Sequence, residues 1–224
     1  MPRMGVVLGS NATGPGAERL LGALAGQDAE VVQRHGRSGS YVLPHRIDHE
    51  ANLRSLLEAG CDRVLAVCSV GSLKEEIRVG SLLCPDDFIA LQLGITTFDD
   101  ARGHMPPGFD RDWRERVLAA SRAAGAAGFE DGGVYWQTTG PRFETPAEIR
   151  MMAPHCDLVG MTMASECVLA GELGLAYAAV CAVDNMANGI GAAPLEVEEL
   201  EAARAENAAR LAEALEALLP ELVP

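Results

Sequence analysis

The run RVLAVC at residues 63–68 is the stretch around which the fold is predicted, because a short, unbroken apolar segment of this kind is typical of a buried strand. It ends in Ser69-Val70-Gly71-Ser72-Leu73, a small-residue turn where the backbone can approach a ligand closely. It is preceded by residues 48–59, an amphipathic segment that is closed by Gly60. A helix that leads directly into a buried strand indicates an α/β arrangement.

The preceding segment predicts a helix that turns Leu53, Leu56 and Leu57 inward. The same alternation extends in both directions along the chain, with predicted strands at 4–8, 31–33, 81–91, 133–137, 157–162 and 175–183, and predicted helices at 17–25, 113–124, 145–152, 165–173 and 197–219. No Pro/Ser-rich linker and no internal repeat interrupts this pattern. The sequence therefore predicts one α/β domain over residues 1–224, with a largely parallel or mixed sheet.

The charge of the chain argues against two classes of partner. Its 224 residues carry a net charge of −14, and a strongly negative field repels nucleic acid and anionic membrane surfaces. Much of the acidity lies in the C-terminal segment, so a small phosphate could still be held elsewhere. We therefore expect no nucleic-acid and no membrane partner.

The six cysteines show no CxxC pairing and mostly lie in apolar runs. That pattern suits reduced, buried thiols in a cytoplasmic protein, and it argues against a zinc site. The sequence also shows no secretory signal and no apolar span of about twenty residues. We expect a cytoplasmic protein without a metal.

Polar and small residues follow several of the predicted strands, where ligands gather in sheets of this class. The positions concerned are Ser10, Arg34-His35, Ser69-Val70-Gly71, Phe143-Glu144, Met161-Thr162 and Asn185. Ser10 lies in a glycine-rich loop between a strand and a helix, which could bind an anion or be a plain turn. The segment RHGR at 34–37 could clamp a phosphate, because guanidinium binds phosphate in a bidentate fork, or it could be a solvated basic turn.

The stretch TTGPRFET at 138–145 places an aromatic ring beside a carboxylate after a Gly-Pro turn. Phe143 can stack on a planar ligand while Glu144 accepts a hydrogen bond from a ring N–H. The alternative is a surface turn with a solvated Glu144. In either case Thr145 can cap the following helix, with Glu148 completing a capping box.

With these pieces in this order, the chain resembles the trimeric purine nucleoside phosphorylase and methylthioadenosine phosphorylase family. The matching blocks are RHGR at 34–37, LPHRIDHEANLRSLLEAG at 43–60, VGSLKEEI at 70–77, GPRFET at 140–145, DLVGMT at 157–162 and ELGLAYA at 172–178. The resemblance implies a three-layer fold with a central mixed sheet flanked by helices. It also implies a homotrimer that cleaves purine nucleosides with inorganic phosphate as co-substrate and without a cofactor.

The resemblance also assigns roles by matching position. Ser10, Arg34, His35, Cys68, Ser69 and Thr162 would bind phosphate; Met161 would lie beneath the ribose; Phe143, Glu144, Asn185, Val70 and Gly71 would bind the base. Asn185 and His35 would be the catalytic residues, and His104 would reach over the site of a neighbouring subunit.

Asn185 is the residue most informative about specificity. Within the family, Asp at this place accompanies 6-aminopurines, whereas Asn with a Glu after the Phe accompanies 6-oxopurines. The amide can donate to O6 and accept from N7–H, and can hold the charge that develops on the leaving base. A register one residue earlier would place Asp184 there and favour adenine. We expect a phosphorylase of inosine, guanosine or methylthioinosine.

Two alternatives stay open. One is a methylthioadenosine phosphorylase; the segment Ala192 to Val197 contains no histidine, and an apolar wall at the 5′ end of the sugar would suit a methylthio group. The other is a nucleoside-binding protein with weak or no turnover. It is motivated by two departures from the family pattern in the phosphate loops, Asn11 in place of a glycine and Gly39 or Ser40 in place of a histidine.

Overall fold

A computed structural model describes residues 3–12, 17–25, 27–36, 40–125, 129–191 and 197–222 of the chain. Its strands are β1 (Arg3–Leu8), β2 (Ala29–Gln33), β3 (Cys61–Ser72), β4 (Leu82–Cys84), β5 (Asp87–Ile89), β6 (Glu130–Asp131), β7 (Val134–Gln137), β8 (Leu158–Gly160) and β9 (Ala176–Met186). Its α-helices are α1 (Ala17–Leu24), α2 (His49–Glu58), α3 (Arg111–Ala123), α4 (Pro146–Met152), α5 (Met163–Glu172) and α6 (Val197–Leu222). Short 3₁₀ turns lie at Ser10–Ala12, Pro44–Arg46 and Ala101–Gly103.

Strand β3 organises the sheet because it is long enough to pair with two different strands along one edge. Its first part pairs with β1 in parallel, from Arg3 opposite Cys61 to Leu8 opposite Val67. Its last two residues pair with β8 in antiparallel fashion. Its other edge pairs with β9 in parallel from Arg63 to Ser72. The predicted mixed sheet is therefore confirmed, and β3 joins its two halves.

The residues of β3 alternate between two cores, as a strand covered on both faces must. Leu65 and Val67 join the apolar side chains of α1, α3 and α6, while Val64, Ala66 and Cys68 join those of α2 and α5. The same alternation in β9 sends Val180 to the first core and Cys181 to the second. A helical layer thus covers each face of the sheet.

Most predicted elements are present, with two differences. Leu57 is 40% exposed, so the prediction that it points inward was wrong, whereas Leu53 and Leu56 are fully buried. Strand β9 continues to Met186, so that Asn185 lies within the strand and not after it. The predicted long loop is confirmed: the only helical or strand element between Ile89 and Arg111 is the turn at Ala101–Gly103.

None of the described helices combines the length and the apolar character that crossing a membrane requires.

Candidate active site

One cavity of about 250 Å³ opens where β1, β3, β8 and β9 end. The structure brings eleven of the predicted site residues to its lining: Ser10, Arg34, His35, Ser69, Val70, Gly71, Phe143, Glu144, Met161, Thr162 and Asn185. These residues come from segments as far apart as the first and the last strand of the chain. The expectation that polar residues at strand ends would meet is therefore confirmed.

Two predicted residues do not line this cavity. Cys68 is buried beneath it, with only 1% of its surface exposed, and its sulfur accepts a hydrogen bond from Arg34 Nη1 at 3.4 Å. His104 is exposed on the long loop and does not line the cavity of its own chain. Three features of the sequence analysis, namely Arg37 with the Gly39 loop, the side chain of Asn11 and the segment 192–196, lie outside the described residues.

A bulge in β9 decides which of two neighbouring polar side chains faces the cavity. Val70 pairs with Val183 and Gly71 pairs with Asn185, so that Asp184 is the extra residue of β9. Asn185 lines the cavity, and its Nδ2 donates a hydrogen bond to Met186 O at 2.8 Å. Asp184 is only 1% exposed. The structure thus presents the amide, and not the carboxylate, to the cavity.

Asp184 is held on the opposite side by helix α6. Asn207 Nδ2 donates to Asp184 Oδ1 at 2.6 Å and to Val183 O at 2.9 Å. The hydroxyl of Ser69 donates to the second carboxylate oxygen. Because these donors fix both oxygens, the bulge has one orientation, and Asn185 is aimed at the cavity as a consequence.

The turn that carries Phe143 and Glu144 is built on a close backbone approach. Gly140 has φ +64°, and a Cβ at this position would lie 2.5 Å from the sulfur of Met161, so that the turn requires glycine twice over. Glu144 is 7% exposed and accepts a hydrogen bond from Thr138 Oγ1 at 2.6 Å. The alternative of a solvated Glu144 is therefore wrong, although Phe143 remains 41% exposed.

Helix α4, which follows this turn, begins with the predicted capping box. Thr145 accepts from the backbone N–H of Glu148 at 3.2 Å, and the Glu148 carboxylate accepts from the Thr145 N–H at 2.7 Å. Arg142 also donates to both oxygens of Glu148, at 2.8 Å each. These bonds anchor the far end of the turn to the helix.

Arg34 lies under the cavity with its guanidinium surrounded by protein. Its Nη1 donates to Thr162 Oγ1 at 3.0 Å, and its Nη2 donates to Glu166 Oε2 at 3.0 Å. Its Nε lies 2.8 Å from Glu166 Oε1, in ion-pair contact though not aligned for a hydrogen bond. The side chains of Arg34 and Glu166 are 1% and 2% exposed. The terminal nitrogens of Arg34, the guanidinium predicted to bind phosphate, thus already donate hydrogen bonds within the protein.

Glu166 stays charged in this buried environment. Burial alone would raise its pKa, but the charge of Arg34, the nearby His49 ring and the hydrogen bond from Tyr177 outweigh that effect, so the pKa lies below its usual range. Tyr177 donates its hydroxyl to Glu166 Oε2 at 2.9 Å. The buried pair is therefore an ion pair with no net charge.

His35 is a neutral imidazole whose tautomer is fixed. Burial lowers the pKa of His35 to about 4 from its ordinary 6.5, and the nearby Arg34 acts in the same direction. Its Nδ1 lies 2.9 Å from Val42 O, and because a carbonyl only accepts, Nδ1 carries the proton. Nε2 is then left as an acceptor. The ring also stacks on Tyr41, with centroids 4.8 Å apart.

Ten lining residues were not among the predicted site residues, and three of them carry polar side chains, namely Tyr41, Asn188 and Arg204. Asn188 Nδ2 donates to the backbone oxygen of Glu144 at 3.2 Å. This bond links the end of β9 to the turn that carries Phe143 and Glu144. Arg204 comes from α6, a helix that the sequence presents as an acidic, apolar-faced tail. A signal was available, because Arg204 and Asn207 interrupt the apolar stripe that continues at Leu211.

Among the described residues, no group of three or more His, Cys, Asp or Glu side chains is arranged to hold a metal ion.

Comparison with known proteins assigns the architecture. The family model described as the Phosphorylase superfamily matches residues 9–220. A protein of Archaeoglobus fulgidus named "Probable 6-oxopurine nucleoside phosphorylase" is 42% identical over 192 residues, which cover 86% of this chain and 79% of that protein. A protein of Xanthomonas campestris pv. campestris named "Probable S-methyl-5'-thioinosine phosphorylase" is 38% identical over 79% of this chain and 73% of its own length.

The fold is likewise that of a solved member. The methylthioadenosine phosphorylase from Schistosoma mansoni in complex with adenine superposes with a TM-score of 0.84 over 99% of this chain and 92% of that one, at 20% sequence identity. The match to the family model extends from the loop after β1 into α6 and includes every segment that lines the cavity. The chain therefore belongs to the phosphorylase superfamily, in the branch of the purine nucleoside and methylthioadenosine phosphorylases.

Proposed function

We propose that this chain catalyses the reversible, phosphate-dependent cleavage of the N-glycosidic bond of 6-oxopurine nucleosides. The products are the free base and ribose 1-phosphate, or the methylthio sugar phosphate from methylthioinosine. The observation that carries the proposal is that Asn185, and not Asp184, lines the same cavity as Glu144. The relatives named for 6-oxopurine nucleosides and for methylthioinosine support it.

The base end of the cavity has the donors and acceptors that a 6-oxopurine requires. One N–H of the Asn185 amide is taken by Met186 O, which leaves the second for O6 and the amide oxygen for N7–H. One oxygen of the Glu144 carboxylate accepts from Thr138, and a carboxylate offers only acceptors. It therefore suits the N1–H of hypoxanthine or guanine and not the bare N1 of adenine. Phe143 and the backbone of Val70 and Gly71 would enclose the ring.

A second group of residues that line the cavity suits a phosphate. Ser10, Ser69 and Thr162 bring hydroxyls to the cavity, and the neutral His35 brings an acceptor for a hydrogen bond from a phosphate hydroxyl. Arg34 lies beneath them, and Cys68 supports the strand from which Ser69 projects. Phosphate would attack the anomeric carbon from the face opposite the base, and Asn185 would hold the charge that accumulates on the purine. In this proposal neither a metal nor an organic cofactor takes part.

The proposal also gives roles to Met161 and His104 and a location to the protein. Met161, against which Gly140 packs, would form the floor under the ribose. His104 would act on the site of a neighbouring subunit in a homotrimer, which fits its exposure and its absence from the cavity lining of its own chain. We also propose a cytoplasmic location, since all six cysteines are free and buried. Release of free bases from purine nucleosides would give the protein a role in purine salvage.

The 5′ substituent of the substrate is the part of the proposal that needs a direct comparison of rates. The segment that would face it lies outside the described residues, and relatives of both kinds occur. Rates on inosine, guanosine, methylthioinosine and methylthioadenosine, each at saturating phosphate, would rank the substrates. A methylthioadenosine rate above that of methylthioinosine would favour the alternative of a methylthioadenosine phosphorylase.

The proposal is tested by incubating the protein with inosine in the presence and absence of phosphate and measuring hypoxanthine and ribose 1-phosphate. We expect both products with phosphate and neither without it. Hypoxanthine without phosphate would mean a hydrolase. Calorimetric binding of inosine without any product would mean a nucleoside-binding protein.

A further inference from the structure

Arg34 cannot by itself supply a free positive charge to the cavity. Its two terminal nitrogens donate to Thr162, Cys68, Glu166 and the backbone of Val7, and the carboxylate of Glu166 cancels its charge at 2.8 Å. A phosphate dianion that enters the cavity would therefore meet hydroxyls and a neutral imidazole, and also a guanidinium that is already paired. Binding a dianion in a partly closed site requires further positive charge.

Arg204 is the second guanidinium that lines the cavity. Its side chain is 32% exposed, and its Nε has no hydrogen-bond partner among the described residues although that atom is buried. Its positive charge adds to burial in lowering the pKa of His35, whereas at Tyr41 it opposes burial, which raises the pKa of that hydroxyl above its ordinary value. Arg204 thus lies close to the same imidazole that is expected to contact phosphate.

The carboxylate nearest to Arg204 is already occupied. Asp184 Oδ2 lies 3.8 Å from Arg204 Nε, beyond hydrogen-bond distance. The same carboxylate accepts from Ser69 and from Asn207. Arg204 is therefore steered towards the Ser69 side of the cavity by Asp184, but its N–H groups are not consumed there.

We propose that Arg204 is a binding residue for the phosphate co-substrate and supplies the charge that the Arg34–Glu166 pair does not. The proposal rests on the proposed function and deepens it. In this arrangement Arg34 and Glu166 form the rigid floor, while Arg204 approaches the anion from α6. A positive charge from Arg204 would also compensate for Asn11 and for the missing histidine, the two departures from the family pattern in the phosphate loops.

The test compares Arg204→Gln with Arg210→Gln, an exposed arginine on the same helix that does not line the cavity. We expect Arg204→Gln to raise the KM for phosphate about tenfold to a hundredfold, the effect of losing one charge-assisted hydrogen bond, with the KM for inosine changed less than about threefold. Arg210→Gln should leave both values unchanged. A rise in the KM for inosine alone would place Arg204 at the nucleoside, and equal values for both variants would remove its role.

A second measurement needs neither turnover nor a variant that folds. The wild-type protein is treated with phenylglyoxal, with and without inorganic phosphate, and the modified arginines are identified by mass spectrometry. We expect phosphate to slow modification of Arg204 and not of Arg210. Equal protection of both, or of neither, would overturn the proposal. If inosine were not cleaved at all, the proposed function would fail while this comparison still decided whether Arg204 binds phosphate.

Discussion

In the proposed function, specificity depends on a single extra residue in one strand, Asp184 of β9. Because Asp184 occupies the bulge of β9, the carboxylate turns towards α6 and the amide of Asn185 turns towards the cavity. Without the bulge, Asp184 would lie opposite Gly71, at the place in the register that Asn185 now takes. In the proposed function, the choice between an oxo and an amino purine would therefore depend on the strand register as well as on side-chain identity.

Asn185→Asp should shift the preference from 6-oxo to 6-aminopurine nucleosides. The carboxylate cannot donate to O6, and a polar group left unpaired against its ligand costs about 1–3 kcal/mol, or roughly tenfold to a hundredfold in kcat/KM for inosine. The measurement is kcat/KM for inosine and adenosine with both proteins. Asn52→Asp is the matched control, because it makes the same change of charge on α2, outside the cavity lining, and should leave the ratio unchanged. An unchanged inosine-to-adenosine ratio in Asn185→Asp would contradict this role.

His35 should make the protein less stable as the pH falls below 7. The folded-state pKa of about 4 lies below the ordinary 6.5, so between these values the unfolded chain takes up a proton that the folded chain does not. The free energy of unfolding should therefore fall by about 2 kcal/mol between pH 7.5 and pH 5 because of this group alone. Urea unfolding of the wild type and of His35→Gln across this range isolates the contribution. Parallel curves for the two proteins would show that His35 is not buried as a neutral ring.

At the scale of elements, the Arg34–Glu166 pair ties helix α5 to the end of β2. The Arg34 N–H also donates to Leu8 O at 3.1 Å, so that β1, β2 and α5 meet at this one pair. The geometry of the phosphate end depends on this junction, since Thr162 precedes α5 and accepts from the same guanidinium.

Glu166→Ala should destabilise the protein by about 3–5 kcal/mol, because it leaves the buried Arg34 charge without a counterion. Glu50→Ala is the matched control: its carboxylate contacts Arg54 at 2.7 Å on the surface of α2, where an ion pair is worth at most about 1 kcal/mol. Urea unfolding of both variants at neutral pH measures the difference. Equal losses would mean that the buried pair contributes no more than a surface pair.

At the scale of the whole molecule, local patterns in the sequence were sufficient to predict most helices and strands and about half of the residues that line the cavity. The capping box at Thr145, the strand that carries Ser69 and the ring-carboxylate pair at 143–144 are all encoded within a few residues of each other. Exposure of Leu57 could not be predicted, because periodicity identifies an apolar stripe but not its edge. The bulge and Arg204 were also missed, since both depend on contacts between β9 and a helix about 20 residues further along the chain.

Two exposed apolar side chains form a surface that suits the assembly in the proposed homotrimer. Leu91 and Met151 are 77% and 56% exposed and line a groove next to Glu144, and exposed apolar groups beside a site commonly mark an interface. Light scattering should therefore give a mass three times the 23.6 kDa of one chain. The double change Leu91→Asp and Met151→Asp should lower that mass. A wild-type mass of one chain at micromolar concentration would refute the trimer and the role of His104.

The central claim is that Glu144 and Asn185 select the 6-oxopurine. The most direct test is the ratio of kcat/KM for inosine to that for adenosine in the unmodified protein at saturating phosphate. Two hydrogen bonds that adenine cannot match should favour inosine by about a hundredfold or more. Equal values, or faster cleavage of adenosine, would contradict the claim.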